Sequence, residues 1–145
     1  MRFVADAMLG KLARWLRIIG YDTEYLPSAG DDDLISAAEE GGRLILTRDG
    51  ELFKRAVRRG VPVILIKSTA IREELAEIAQ TLGLRLSDQT RCPLCNEVLV
   101  GGGDGSPAPV HVKGQVWRCP RCGKFYWHGT HWLKISETLE SSGLR

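Results

Sequence analysis

The chain has 145 residues, of which 43% are hydrophobic and 26% charged, a composition typical of a globular protein. This length suits one ordinary domain, or a small domain with an appendage. Its 20 basic and 18 acidic residues exclude a polycation, so any binding of nucleic acid would rest on local patches. No apolar run is long enough to span a bilayer, and charges interrupt the N-terminal apolar stretch. We therefore expect a cytoplasmic protein without membrane association.

The first 26 residues predict a strand, a helix and a second strand. Residues 2–6 form a short apolar run that ends in Asp6, and residues 21–26 are the second strand. The intervening helix, which Gly20 ends, has an apolar face made of Met8, Leu12, Trp15, Leu16 and Ile19. Its opposite face carries three cations, which form either a solvated surface or a contact for a polyanion: Lys11, Arg14 and Arg17.

The most buried strand is predicted at residues 44–46, where Leu, Ile and Leu follow one another without alternation. Such a strand is typical of the interior of a parallel sheet that helices cover on both faces. Helices are predicted on either side of it, at residues 31–41 and 51–59, and the second of these points Leu52, Phe53, Ala56 and Val57 inward. A further strand at residues 61–66 and a helix at 71–82 complete an α/β sandwich with a parallel sheet.

Acidic residues stand at the ends of these elements. Asp6 and Asp49 each follow a strand, and Asp31–Asp33 open a helix. If the first and third strands are neighbours, Asp6 and Asp49 emerge side by side at the edge where open parallel sheets bind ligands. Helix capping would explain each acid separately, but not why all of these ends are acidic. Converging carboxylates suit Mg²⁺ or Mn²⁺, and such sites hydrolyse phosphodiesters.

Four cysteines form two C-x-x-C knuckles separated by 23 residues, at Cys92, Cys95, Cys119 and Cys122. Two knuckles supply four thiolates, which complete a tetrahedral shell around a metal ion. We expect Zn²⁺, with a rubredoxin-like iron site as the alternative, and disulfides are disfavoured because nothing indicates an oxidising compartment. A closed shell has no open position, so the metal is structural.

Composition changes after residue 88, which predicts two units, residues 1–88 and 89–145. The second contains all four cysteines, all three histidines, three of the four tryptophans and a glycine-rich loop at residues 101–105. It is too small to fold well on its own core, so bound metal would supply folding energy. We expect His111, His128 and His131 to make packing or polar contacts and not to ligate the metal.

Four segments together resemble the Mut-seven C-terminal RNase domain family. They are Phe3-x-x-Asp6-x-x-Leu-Gly-x-Leu-Ala-Arg-Trp-Leu-Arg-x-x-Gly-Tyr-Asp22, the Asp-led helix running into Leu-Thr-Arg-Asp49, Arg91-Cys-Pro-x-Cys-Asn96, and Cys-x-x-Cys-Gly-Lys-x-Tyr-Trp-x-Gly-Thr-His131. The resemblance covers nearly the whole chain. It implies a PIN-like nuclease domain, built on the parallel sheet, followed by a small zinc ribbon.

The resemblance also implies the role of each acid in a metal-dependent ribonuclease. Asp6 is the acid of the first strand and Asp49 the acid of the Thr-x-Asp segment. Asp31 fits the position of the helical acid, with Asp32 or Asp33 as alternatives and Glu51 as a further acid. RNA, expected to be single-stranded, would be held by six cations: Lys11, Arg14, Arg55, Arg58, Arg121 and Lys124. The aromatic run at residues 125–127 would either stack on bases or form the core of the ribbon.

Two other functions compete with this interpretation. One is a non-catalytic module that binds RNA or protein on a PIN-like scaffold. The other is a phosphotransfer domain of the receiver type, since Asp6, Asp49 and Lys67 all follow strands. The receiver lacks its expected acidic pair after the first strand, and it does not explain the ribbon.

Overall fold

The computed structural model describes residues 1–85, 89–101, 116–127, 136–137 and 139–140. The first part of the chain, residues 1–85, contains four strands: β1 (Arg2–Ala5), β2 (Asp22–Tyr25), β3 (Leu44–Thr47) and β4 (Val63–Leu65). A 3₁₀ turn at Ala7–Leu9 leads into the first of four helices: α1 (Gly10–Ile18), α2 (Asp31–Gly41), α3 (Gly50–Arg58) and α4 (Ile71–Leu82). These four strands form one parallel sheet in the order β2-β1-β3-β4. The predicted α/β fold with a parallel sheet is confirmed.

Apolar residues cover both faces of this sheet. Phe3 and Leu46 face the core that α1 and α4 complete, whereas Val4 and Ile45 face the core completed by α2 and α3. All four side chains are fully buried. Consecutive apolar residues in β1 and β3 therefore follow directly from the two helical layers.

The strand order reverses between β1 and β3: β2 is added on one side of β1, and β3 and β4 on the other. β1 and β3 therefore lie side by side although a helix, a strand and another helix separate them in sequence. Val4 pairs with Ile45 and Ala5 with Leu46. A topological switch point of this kind opens a crevice beyond the carboxyl ends of the two strands. Asp6 and Asp49 follow these two ends.

The burial of three side chains differs from what the helical periodicity predicts. Met8 is exposed, because it lies in the 3₁₀ turn and not in α1, so the helical period does not extend to it. Arg17 is buried, because its guanidinium donates to the carbonyls of Thr23 and Pro93. Val57 is 56% exposed near the end of α3 and so is not part of the core that Leu52 and Ala56 of this helix join.

The second part of the chain, which begins at residue 89, contains three short antiparallel strands among its described residues: β5 (Val100–Gly101), β6 (Val116–Arg118) and β7 (Phe125–Trp127). It contacts the first part through backbone bonds, such as that from the amide of Arg91 to the carbonyl of Arg17. The predicted boundary at residue 88, the three histidines and most of the glycine-rich loop lie outside the described residues. Within the described ranges, no helix has the length and apolar character needed to cross a membrane.

Candidate active site and metal centre

The acids that follow β1 and β3 are joined through one threonine. Asp6 continues the pairing of β1, since its amide donates to the carbonyl of Leu46 at 3.2 Å. The hydroxyl of Thr47 donates to Oδ2 of Asp6, and the same hydroxyl accepts the amide of Asp49 at 2.9 Å. Thr47 is fully buried and Asp6 is 9% exposed. The two predicted acids therefore lie at one edge of the sheet, in fixed relation to each other.

Both acids are also helix caps. Oδ1 of Asp6 accepts the amide of Met8 at 3.1 Å, and Oδ1 of Asp49 accepts the amide of Glu51 at 2.9 Å. A carboxylate offers about four lone-pair directions, so one capping bond leaves room for a cation. In the part of the chain that the structure describes, Oδ2 of Asp49 accepts no hydrogen bond, and the side chain is exposed. Capping and metal binding are thus compatible at Asp49.

The acids that open α2 lie against a cation of α3. Nη1 of Arg55 is 3.4 Å from Oδ1 of Asp32 and 4.0 Å from Oδ2 of Asp31. Asp33 is exposed. The residue before them, Gly30, has no side chain to cap the helix, so the acids complement its positive N-terminal end.

Glu51 is paired with a cation of its own helix. Its side chain is largely exposed, and its Oε1 lies 3.6 Å from Nζ of Lys54 one helical turn later. Across the described residues, Asp6, Asp31 and Asp49 do not form a group close enough to hold one ion jointly. The structure therefore brings Asp6 and Asp49 together at the edge and leaves Asp31 on the neighbouring helix.

The four cysteine sulfurs do form such a group, all within 4.8 Å of one another. Sγ of Cys92 lies 3.7 Å from Sγ of Cys122, and Sγ of Cys95 lies 3.4 Å from Sγ of Cys119. Zinc–sulfur bonds of about 2.3 Å in a tetrahedron separate the sulfurs by roughly 3.8 Å. This donor set fits Zn²⁺, and a closed shell of four thiolates would leave a bound ion no open position for a substrate.

Each knuckle is shaped by its own backbone. The amide of Asn96 donates to the carbonyl of Cys92 at 2.8 Å, and that of Gly123 donates to the carbonyl of Cys119 at 2.8 Å. Both turns need a left-handed residue, which Asn96 (φ 69°) and Gly123 (φ 76°) provide. The hydroxyl of Tyr126 lies 3.2 Å from Sγ of Cys92, so this aromatic belongs to the knuckle core, whereas Trp127 is exposed.

Two groups of ion pairs and hydrogen bonds near these sites were not predicted from the sequence. Beside Asp49, the guanidinium of Arg48 forms an ion pair with Glu74, a buried residue of α4. Burial raises the pKa of Glu74, and the charge of Arg48 acts against that increase. The only signal was an acid placed directly before Leu75, on the apolar side of α4.

The second network joins the first knuckle to the sheet. Oδ1 of Asp22 accepts from Nη1 of the buried Arg43 at 2.8 Å and from Nδ2 of Asn96 at 2.6 Å, and the side-chain oxygen of Asn96 accepts the amide of Thr23. Burial acts to raise the pKa of Asp22, but the bonds from Arg43 and Asn96 outweigh it and lower that pKa to about 2. Asp22 and Asn96 both stand in the segments that resemble the family, but no local pattern predicts that they meet.

The six predicted RNA-binding cations are all exposed, and they are spread over α1, α3 and the second knuckle: Lys11, Arg14, Arg55, Arg58, Arg121 and Lys124. Of these, Arg55 is paired with the acids of α2. The third cation expected on the face of α1, Arg17, is instead buried beneath the first knuckle.

No curated protein matches the chain. The family model of the Mut7-C RNAse domain matches residues 1–139, nearly the whole chain. The chain therefore belongs to the Mut7-C RNAse domain family.

Proposed function

We propose that this protein is a metal-dependent ribonuclease that hydrolyses RNA phosphodiesters at the carboxyl edge of its parallel sheet. The family supports nuclease chemistry, and oxygen ligands at this edge suit Mg²⁺ or Mn²⁺. When bound there, such a cation would activate water and stabilise charge on the leaving oxygen. Hydrolysis would form a bond from the water oxygen to phosphorus and break the bond from phosphorus to the 3′ oxygen. The proton lost by water would be balanced by the one that the 3′ oxygen gains, so the products would carry a 3′-hydroxyl and a 5′-phosphate.

The observation that carries the proposal is the link from Asp6 through Thr47 to Asp49. This link fixes two carboxylates at the switch point of the sheet, where ligands of open α/β folds bind. Asp6 and Asp49 hold the cation in this proposal, and Asp31 approaches from α2. Asp32, Asp33 and Glu51 are the alternative or additional acids.

The cations and the ribbon hold the RNA. Lys11 and Arg14 on α1, and Arg58 on α3, are exposed and available to phosphates. Arg121 and Lys124 extend this charge across the second knuckle, where Trp127 exposes an aromatic ring. Zn²⁺ held by the four cysteines would keep this surface folded.

Metal exchange combined with a modified substrate tests the proposed chemistry. Protein freed of Mg²⁺ and Mn²⁺ should not cleave a single-stranded RNA, and added Mn²⁺ should restore cleavage whereas added Zn²⁺ should not. A 2′-deoxynucleotide on the 5′ side of the scissile bond should still be cleaved, because the 2′-hydroxyl takes no part. Cleavage that needs no added metal, stops at the deoxynucleotide and leaves a 2′,3′-cyclic phosphate would disprove the mechanism.

One observation favours the alternative, a non-catalytic module that binds RNA. Arg55 forms ion pairs with Asp31 and Asp32 of α2. Among the described residues, the three acids Asp6, Asp31 and Asp49 do not lie close enough together to bind one ion. A scaffold of this kind would bind RNA equally well with and without Mn²⁺ and cleave it in neither case. The same assay therefore separates the two functions.

A further inference from the structure

The first knuckle and the α/β domain enclose a cleft of about 200 Å³, which we call the junction cleft. Gly10, Ala13 and Arg14 of α1 form one wall, Tyr25 of β2 the second, and the knuckle the third, through residues 93 and 94. The cleft therefore exists only where the ribbon meets the sheet.

The junction cleft lies beside the acidic edge. Tyr25 is the last residue of β2, so its side chain stands at the carboxyl end of the sheet. Its hydroxyl donates to the carbonyl of Ala7 at 2.8 Å, and Ala7 directly follows Asp6. The ring of Tyr25 also lies close to Gly10, where an added Cβ would come within 3.0 Å of it. The tyrosine wall is thus held rigidly against the segment that carries Asp6.

The charge of the cleft is positive. Arg17 is buried behind it, with Nε and Nη1 committed to the carbonyls of Thr23 and Pro93 at 2.8 and 2.7 Å. Arg14 is exposed at its rim, has no ion pair within the described ranges, and donates its Nε to the carbonyl of Gly10 at 3.3 Å. The other nitrogens of Arg14 are therefore available to an anion entering the cleft.

The remaining lining is apolar and aromatic. Leu94 is 56% exposed on the knuckle, opposite the partly exposed ring of Tyr25. A volume of about 200 Å³ is below the roughly 300 to 1,000 Å³ of sites for drug-sized ligands, so it suits a single ring system. Aromatic and apolar surfaces with one arginine are what unpaired bases bind, through stacking and a phosphate contact.

We propose that the junction cleft binds one unpaired base of an RNA strand, while Arg14 binds the adjoining phosphate. This inference rests on the proposed function and adds to it, because it makes the substrate single-stranded next to the scissile bond. It also gives the ribbon a direct part in the site. The knuckle and the sheet then hold the same nucleotide, and neither part forms the subsite alone.

Binding of a fluorescein-labelled ten-nucleotide oligouridylate, measured by anisotropy without added Mg²⁺ or Mn²⁺, tests this subsite. Because all registers of an oligouridylate are equivalent, the comparison strand has the same length but lacks every base. The wild-type chain should bind this base-free strand about tenfold more weakly than the oligouridylate, as stacking of one base predicts. Leu94→Glu should weaken binding of the oligouridylate by a similar factor and bind the two strands almost equally. Arg14→Ala should lower the slope of log K against log salt by roughly one.

Matched variants separate the subsite from folding and from general charge. Leu94→Arg should retain or strengthen binding, because arginine stacks on bases, so loss in both Leu94 variants would indicate a damaged knuckle and contradict the subsite. Gln80→Glu places the same charge on an exposed residue near the end of α4, which carries none of the cations assigned to RNA, and should change nothing. Arg85→Ala, an exposed cation beside Tyr21 at the opposite end of the sheet, is the control for Arg14.

Failure of this inference differs from failure of the proposed function. If the chain binds and cleaves RNA but binds the base-free strand as tightly as the oligouridylate, or Leu94→Glu matches Gln80→Glu, the subsite is wrong and the ribonuclease stands. A peptide-binding cleft would likewise show no preference for the strand that carries bases. If the chain neither binds nor cleaves RNA, both proposals fail.

Discussion

A single hydroxyl group fixes the geometry of the acidic edge. The hydroxyl of Thr47 donates to Asp6 and accepts from the amide of Asp49, so this fully buried group both donates and accepts a hydrogen bond. Since the two carboxylates belong to different strands, this hydroxyl couples their positions. Thr47 is a positioning residue in this account, because it would not touch the substrate.

Replacement of Thr47 by valine should separate positioning from charge. Valine keeps the shape but leaves the amide of Asp49 without its buried acceptor, which should lower the free energy of unfolding by about 1–3 kcal/mol. Cleavage should fall more than RNA binding, because the acids lose their fixed relation. Thr47→Ser, which keeps the hydroxyl, should stay close to wild type in both urea unfolding and cleavage. Equal cleavage by the valine and serine variants would rule out the positioning role.

At the scale of elements, the sequence predicted what depends on repeated local patterns. Consecutive apolar residues indicated that β3 is buried on both faces, and β3 indeed lies inside the sheet beside β1. The two C-x-x-C knuckles indicated a four-sulfur cluster, which the structure contains. Both patterns work because burial and tight turns impose direct requirements on neighbouring residues.

Contacts between elements were not predictable in the same way. Periodicity placed Arg17 on an outer face of α1, but the first knuckle covers it, and that contact spans 76 positions of sequence. It likewise placed Met8 on the buried face, although the helix begins later, after a 3₁₀ turn. The pairing of Arg48 with Glu74, and of Asp22 with Arg43, depends on packing that no local pattern reports.

The knuckles make the clearest prediction for an element. Cys119→Ser should remove one ligand and with it most of the metal affinity, because binding of a structural zinc ion, on the order of 10 kcal/mol, is also folding energy. Metal analysis should find less than one zinc ion per chain, and amide protection in β5, β6 and β7 should be lost. Pro120→Ala alters the same turn without removing a ligand and should keep its zinc. Full zinc content with intact protection in Cys119→Ser would contradict the site.

At the scale of the whole molecule, the ribbon and the α/β domain share polar contacts. Asp22 lies at the centre, because it accepts from Arg43 on the sheet side and from Asn96 on the knuckle side. Arg43 is 6% exposed, and its charge is compensated by this carboxylate at 2.8 Å and by that of Glu24 at 3.5 Å. The hydroxyl of Thr90 adds a bond to the carbonyl of Ile18 at 2.7 Å.

The pKa of Asp22 predicts how this junction responds to acid. A carboxyl whose pKa falls to about 2 on folding stabilises the native state above its unfolded pKa of about 3.9, and that contribution is lost as the pH falls through both values. Asp22→Asn should therefore be less stable than wild type at pH 7, and the difference should shrink from about pH 5 downward. Protonation of the cysteines affects both chains, so the difference in free energy of unfolding at each pH is the quantity to measure. A difference that does not change with pH would show that Asp22 acts through shape alone.

Cleavage by Asp6→Asn and Asp49→Asn is the most direct test of the metal site. Asparagine keeps the size of each side chain and its ability to cap a helix, but it lacks the negative charge that holds a divalent cation. We predict that each variant loses Mn²⁺-dependent cleavage, keeps its fold and RNA binding, and gains less thermal stability from Mn²⁺ than wild type does. Glu40→Gln, which neutralises an exposed acid near the end of α2, should behave as wild type. Full cleavage by Asp49→Asn, with undiminished stabilisation by Mn²⁺, would show that Asp49 is a helix cap and nothing more.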